Sequence, residues 1–336
     1  MITYIRLSLL LLAFIVFILP VSGQQDLPMR SRYPILVAKR EHYGFMNSAG
    51  DTIIPCKHER VGKFSYGLVW AMKNDKVGFY DVNGKEAIPF IYDYAEDFSD
   101  GLACVRQGSR RGFIDTNGKA AIPIEFTGAK SFKYRLAPVE KDGKWGYINP
   151  SSKTVLPFIY EFAASFSENR AAVKTDYRNG QVGYIDTTGK LVIPMIYDLA
   201  FAFGDSIAMV VNDKAPGNRV SYINLSGQKA FDFPYDTSYE FSEGLLRVHK
   251  PGEKWGFINT KGVVVIPCEY DDAKDFSEGL CAVKKDGKWG YINKEGKMVI
   301  PFKYTVASKF RGNEAVVTIE GYPYYRLNKE GKEERY

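Results

Sequence analysis

The chain has 336 residues, with 45 Lys and Arg against 39 Asp and Glu, a formal charge of +6, 45% apolar residues and 25% charged ones. These proportions are those of an ordinary globular protein and exclude a disordered tail or a collagen-like chain, while four cysteines exclude a dense disulfide scaffold. The surplus lies in 23 Tyr, 22 Phe and 31 Gly.

Residues 1–23 are expected to be an export signal. Arg6 precedes an apolar run from Leu7 to Leu19, Pro20 ends it, and Val21-Ser22-Gly23 offers small residues for cleavage. The run is short for a membrane span of about 20 residues, and an uncleaved anchor is the alternative. The expected location is therefore the periplasm, the outer cell surface or the medium. Without residues 1–23 the charge is +5, spread along the chain with no basic stripe, which argues against nucleic acid as a partner. The densest basic cluster, Arg106, Arg110 and Arg111, reads as a solvated hairpin turn.

After a lead-in over residues 24–39, a quartet of Gly, aromatic, hydrophobic and Asn/Asp recurs. It begins at Gly44, Gly78, Gly112, Gly146, Gly183, Ser221, Gly256 and Gly290, with a decayed ninth copy at Tyr325. Successive spacings are 34, 34, 34, 37, 38, 35, 34 and 35 residues. A proline keeps step at 55, 89, 123, 157, 194, 267 and 301, with Asp232 in its place in the sixth unit. An aromatic follows it in every unit but the first, which has His58. A Phe closes each unit at 64, 98, 132, 166, 203, 241, 276 and 310.

Residues 276–304 show the local structure in chain order. Leu280 to Lys285 is predicted as a short strand, and Asp286-Gly287 as a tight hairpin turn, because Gly accepts positive φ. Lys288 to Ile292 is the second strand. Asn293 to Gly296 suits a type I turn opened by the Asn side chain. Met298 to Ile300 is the third strand, stopped by Pro301, which cannot donate a ladder bond. The stretch from Phe302 to Phe310 is a connector. Such a unit is too small to bury both faces, so stability has to come from stacking the recurring Tyr and Phe on neighbouring units. The Gly that follows Trp is expected to let another backbone or ring approach closely.

The pairs Trp145-Gly146, Trp255-Gly256 and Trp289-Gly290, each preceded by Lys and followed by an aromatic, define the unit. On these residues the chain resembles the WG (KWG) repeat family over about residues 40–331, with 332–336 as a tail. Departures are Tyr43, Val77, Arg111, Val182, Val220 and Tyr324 at the Trp position, and Ser221 and Tyr325 at the Gly position. The resemblance implies bacterial origin, frequent export and a role in interaction rather than catalysis, with no catalytic residues to carry over.

The expected fold is all-β: about eight three-stranded antiparallel meanders in an open solenoid or superhelix. The alternative is a closed, propeller-like toroid, whose blades usually run 40–45 residues and which needs a fourth strand from the connector holding Asp271, Ala273 and Phe276.

No cofactor, metal or catalytic residue is expected. His42, His58 and His249 take ordinary repeat positions, and the four cysteines lack metal-ligand spacing; a bridge between Cys268 and Cys281 is left open. Asp93, Glu161, Asp198, Asp236 and Asp271 recur at one register, as turn or cap formers do, whereas an acid/base pair is needed once. The candidate interaction surface is Tyr177, Arg178, Asn218 and Arg219, carried by insertions in two neighbouring hairpins. The expected function is an exported, non-catalytic binding or scaffold module for a protein or cell-envelope glycan. The alternatives are a structural spacer and a glycan-processing enzyme. Exposed aromatics aligned across units would favour glycan binding; buried ones would favour a protein partner or a spacer.

Overall fold

The computed structural model describes residues 34–335, apart from 40–41, 48, 177–179, 214–218, 236–239, 250–251, 312 and 321–323. Its strands form nine sheets, each built from one continuous stretch of chain and each hydrogen-bonded in sequence order. The sheets are the blades of a closed nine-bladed propeller. This corrects the open superhelix expected from the sequence. The first and last blades meet across 280 residues, where Arg326 donates from a guanidinium NH2 group to the Met46 sulfur at 3.2 Å.

The eighth blade is typical. Its inner strand is Asp272–Ala273, the second Cys281–Lys285, the third Lys288–Ile292 and the outer Met298–Tyr304. Periodicity could not reveal the inner strand, because two residues are too few to show an alternation. It is also why a repeat of 34 residues builds a four-stranded blade. Five blades have four strands; in the second blade an isolated Val61–Ala71 bridge stands at the inner position.

Three local devices keep the unit short. Asp286 and Gly287 both take positive φ, 51° and 78°, as a two-residue hairpin turn requires. The Asn293 side-chain oxygen accepts the N–H groups of Glu295 and Lys297, closing the turn to the outer strand. Between inner and second strands a second tight turn pairs Ser277 with Leu280 and places Glu278 and Gly279 at positive φ.

The outer strand carries a wide bulge. Trp289 pairs with Tyr304 and Tyr291 with Ile300, so two steps along the third strand match four along the outer one. The repeat proline, Pro301, falls inside that bulge, where the ladder asks for no N–H. Opposite it stands Gly290. A Cβ there would lie 2.8 Å from the Ile300 carbonyl oxygen and 2.9 Å from the Phe302 ring, so only glycine lets the bulged strand close on its neighbour. The same holds at Gly146, 2.9 Å from the Leu156 oxygen, and at Gly256, 2.7 Å from the Ile266 oxygen.

The core lies between blades. Eight apolar clusters each straddle one boundary, and in each the aromatic of the quartet meets the unit's Phe, 19 residues on, within 4.7–5.8 Å between ring centroids. The pairs run from Phe45–Phe64 to Tyr291–Phe310 and are edge-to-face or tilted, as the ring quadrupoles prefer.

Candidate functional site

Up-and-down order fixes two faces. The hairpins between second and third strands, and the crossings from outer to next inner strand, emerge on one face; the remaining turns emerge on the other. The turns after the inner strands stand near the axis, since equivalent positions one repeat apart are hydrogen-bonded there. Ser99 donates its hydroxyl to the Phe132 carbonyl at 2.6 Å, and Ser277 to that of Phe310 at 2.7 Å. Carboxylates continue this ring: Asp100 accepts the Arg135 N–H and Glu278 the Asn313 N–H, each at 2.8 Å.

On the hairpin face the recurring acids act as clasps. Asp93 accepts the Gly108 N–H of the next hairpin at 2.6 Å and pairs with Lys76 of the preceding one at 2.5 Å. The Lys76 ammonium, followed by the Gly108 N–H, holds its carboxyl below the usual carboxylate range. Asp271 repeats this with Gly287 and Lys254, Asp198 accepts the Asp213 N–H, and Glu161 pairs with Lys144. Asp236 lies outside the described residues. These acids are committed to joining hairpins, an arrangement with no free acid/base pair.

The defining tryptophans are also engaged. Trp289 is buried, and Trp145 and Trp255 are half-buried. Each carries a cation over its ring: Lys130 at 5.1 Å from Trp145, Arg247 at 5.4 Å from Trp255 and Lys274 at 5.5 Å from Trp289. Lys130 also lies 4.6 Å from the Phe162 ring and donates to the Ala163 carbonyl at 2.7 Å; burial lowers its pKa. The protein's own side chains thus occupy the ring faces that a sugar would stack on.

Titratable and thiol groups are structural. No disulfide joins any two of the four cysteines, so Cys268 and Cys281 are not bridged. Burial pushes the Cys104 thiol up to about 12 and raises that of Cys281, leaving both protonated and inert. His58 is fully buried and bonded through Nδ1 to the Met72 carbonyl at 3.1 Å, while His42 is exposed. Among the described residues no group of three or more His, Cys, Asp or Glu could hold a metal ion.

Of the four residues singled out on the hairpin insertions, Tyr177, Arg178 and Asn218 lie outside the described residues. Arg219 is exposed and paired with Asp213 at 3.3 Å. On the same face, sequence reasoning missed an apolar group. Ile159 and Phe162 flank the crossing from the fourth to the fifth blade, Ile196 and Leu199 that from the fifth to the sixth, and they are 38–55% exposed. The signal was available in part: the register of Ile159 and Ile196 holds Lys57, Glu125, Glu269 and Lys303 in other units, and an equally exposed isoleucine, Ile91, in the second. Three of the four, Phe162, Ile196 and Leu199, sit on the fifth and sixth blades, which carry the two hairpin insertions.

The sixth blade departs from the rest in a second way. Ser221 takes the place of the close-approach glycine, and the outer strand is reduced to a single bridge between Ile223 and Lys229. A cavity of about 70 Å³ opens beside it, lined by Phe203, Met209, Tyr222, Glu240 and Phe241 among others.

The profile of the WG-containing repeat family matches the chain at residues 43–76, 78–110, 112–145, 145–178, 183–214, 221–253, 255–289 and 289–322. No curated protein matches its sequence. Among solved structures, a eukaryotic initiation factor is similar at a TM-score of 0.59 and 12% identity, over 90% of this chain and 95% of that one. The extracellular domain of a hybrid two-component system from B. thetaiotaomicron matches at 0.30 and 10% identity, over 91% of this chain and 51% of that one. Hsv2 from Kluyveromyces lactis matches at 0.41 and 10% identity, over 76% and 90%. These likenesses concern the fold alone.

Proposed function

The chain belongs to the WG repeat family, and we propose that it acts as a non-catalytic structural scaffold, a ring whose repeated residues serve its own closure. One observation carries this reading: at eight blade boundaries the recurring aromatics are paired with each other, and three of the four tryptophans carry cations of the same chain. Among the described residues that leaves no row of open rings on successive blades for a glycan: the exposed Tyr66 and Tyr134 share a register but stand two repeats apart, with Asp100 between them. Titration calorimetry of the full chain against cell-envelope polysaccharides is expected to give no binding heat. Micromolar binding that disappears in a Trp145→Ala, Trp255→Ala variant would sink the scaffold reading in favour of a glycan receptor.

A second reading is favoured by the apolar group on the hairpin face. There Ile159, Phe162, Ile196 and Leu199 share a face with Arg219, and Tyr177, Arg178 and Asn218 belong in the sequence to the same two hairpin insertions. The occupant we propose is an apolar segment of a partner protein. Four half-exposed side chains fall well short of the roughly 800 Å² per partner of a standard interface, which disfavours a second copy of the disc. With the export signal read over residues 1–23, that partner belongs to the cell envelope. Photo-crosslinking from positions 162 and 199 in the native host is expected to give one discrete adduct, lost on Ile196→Glu. Labelling no stronger than from Asn117, on the opposite face, would overturn it.

A further inference from the structure

Eight blade boundaries share one apolar recipe, and the ninth does not. At the register held by Phe45, Phe79, Phe113, Tyr147, Tyr184, Tyr222, Phe257 and Tyr291, the ninth blade has Arg326. Elsewhere that aromatic lies in one cluster with a residue of the next blade's third strand, Tyr80 at the first boundary and Ile or Leu at the others, as Phe79 does with Ile114 and Tyr291 with Leu327. At the closing boundary the corresponding residue is Met46, and its half-buried sulfur accepts a hydrogen bond from the Arg326 guanidinium at 3.2 Å. A second position has changed with it. Glu314 replaces the Leu or Ile found in most blades at the start of the second strand and lies within electrostatic reach of Arg326. The closing seam is therefore polar where the other boundaries are apolar.

We propose that Met46 is a modification site: peroxide oxidises its thioether, and the sulfoxide latches the ring. The sulfur lone pair attacks one oxygen of hydrogen peroxide and the O–O bond breaks. Sulfur loses two electrons, and the departing hydroxide takes the remaining proton to leave as water. The new S–O bond is strongly dipolar, with its negative end on oxygen. A sulfoxide normally disrupts an apolar setting because its oxygen has no donor there. Here a permanently charged donor already stands at hydrogen-bonding distance, and an oxygen accepts from it more strongly than a thioether does.

The other described methionines lack this arrangement. Met209 is buried, Met72 is half-buried against the apolar cluster between the second and third blades, Met195 accepts from the neutral Thr175 hydroxyl at 3.6 Å, and Met298 is 58% exposed on an outer strand. Among the described residues, Met46 is the methionine whose sulfur accepts from a charged group.

The test is graded hydrogen peroxide treatment of the full chain, with each methionine followed by peptide mass spectrometry and stability by thermal melting. Met298 and Met46 are expected to oxidise before Met209, and oxidation raises the wild-type midpoint by about 2 °C. Met46→Leu abolishes the rise, whereas Met298→Leu retains it. Arg326→Leu, which keeps the sulfur but removes the donor, turns the rise into a fall. The proposal is overturned if Met46 stays reduced while Met209 is oxidised, if the wild-type midpoint is unchanged or falls, or if the rise persists in either Met46→Leu or Arg326→Leu. The comparison of wild type with Arg326→Leu stands on its own if Met46→Leu does not fold.

Discussion

Tyr291 of the eighth blade meets Phe310 of the ninth edge to face, with ring centroids 4.9 Å apart and both side chains fully buried. The Tyr291 hydroxyl crosses the same boundary to donate to the Ser308 carbonyl at 2.9 Å. One tyrosine thus supplies both the apolar and the polar tie between two blades. Phe310→Ala is expected to cost about 3–5 kcal/mol, the range for emptying a buried aromatic site. Tyr291→Phe, which removes only the hydroxyl, should cost about 1 kcal/mol. A double-mutant cycle of Tyr291→Ala with Phe310→Ala, read by urea melts, should return a coupling of about 0.5–1.5 kcal/mol. Additive losses would show that the rings act independently.

His58 stands where most units have Tyr, and it brings a proton-binding group into the first boundary. It is stacked on Phe90 and set against Tyr80, and its Nε2 has no hydrogen-bond partner among the described residues. Burial lowers its pKa from 6.5, with Lys57, Lys73 and His42 adding to the effect and the Met72 carbonyl opposing it. The native state therefore binds this proton less readily than the unfolded chain. Stability is full above about pH 6.5 and falls as the pH drops through it, because unfolding then takes up a proton. Urea melts at pH 7.5 and pH 5 should show wild type losing more stability than His58→Phe. An equal loss in both proteins would assign the acid sensitivity elsewhere.

Much of this was legible in the sequence, and the limits have physical causes. The Asp286-Gly287 turn, the Asn293 turn and the Lys288–Ile292 strand between them follow from residues that act locally and occur as read, whereas the strand expected to stop at Pro301 runs on to Tyr304, because the bulge asks no N–H of the proline. The inner strand Asp272–Ala273 was named only as the connector that a closed ring would need, because two residues carry no periodicity. Closure depends on the small angle between successive blades, summed over nine of them, which no single residue encodes. The Ile159, Phe162, Ile196 and Leu199 group escaped because each residue is unremarkable in its own unit, and only two successive crossings with an apolar residue on both sides make it a group.

The repeat proline protects the rim. Outer strands present an unpaired edge, and in the seventh blade that edge follows three exposed valines, Val263, Val264 and Val265, at 40–55% exposure. A run of β-branched residues on an open edge is a template for a foreign strand, and Pro267 interrupts it by withholding an N–H. Pro267→Val should leave the melting midpoint nearly unchanged but raise light scattering on incubation at high concentration. Scattering identical to wild type would mean that the bulge alone protects the edge.

The close-approach glycine decides whether a blade keeps its outer strand. At Gly256 an added Cβ would meet the Ile266 oxygen at 2.7 Å and the Cys268 nitrogen at 2.8 Å, both backbone atoms that cannot swing away. The sixth blade departs in step with this: with Ser221 at that register, the described residues that follow form no outer strand but an isolated Ile223–Lys229 bridge, with the Ala230 N–H donating to the Tyr222 carbonyl at 2.8 Å. Gly256→Ser should therefore displace Val264–Tyr270 from the third strand of the seventh blade while the aromatic pair Phe257–Phe276 stays in place. Hydrogen exchange is the measurement: amides of residues 264–270 lose protection and those of Trp255–Asn259 lose only their outward half. Ser221→Gly is expected to do less than the reverse, because the sixth unit also has Asp232 in place of the repeat proline and a proline, Pro234, next to the register that pairs with the third strand elsewhere. Retained protection across residues 264–270 in Gly256→Ser would show that the bulge can widen to admit a side chain, and that Ser221 is not what loosens the sixth blade.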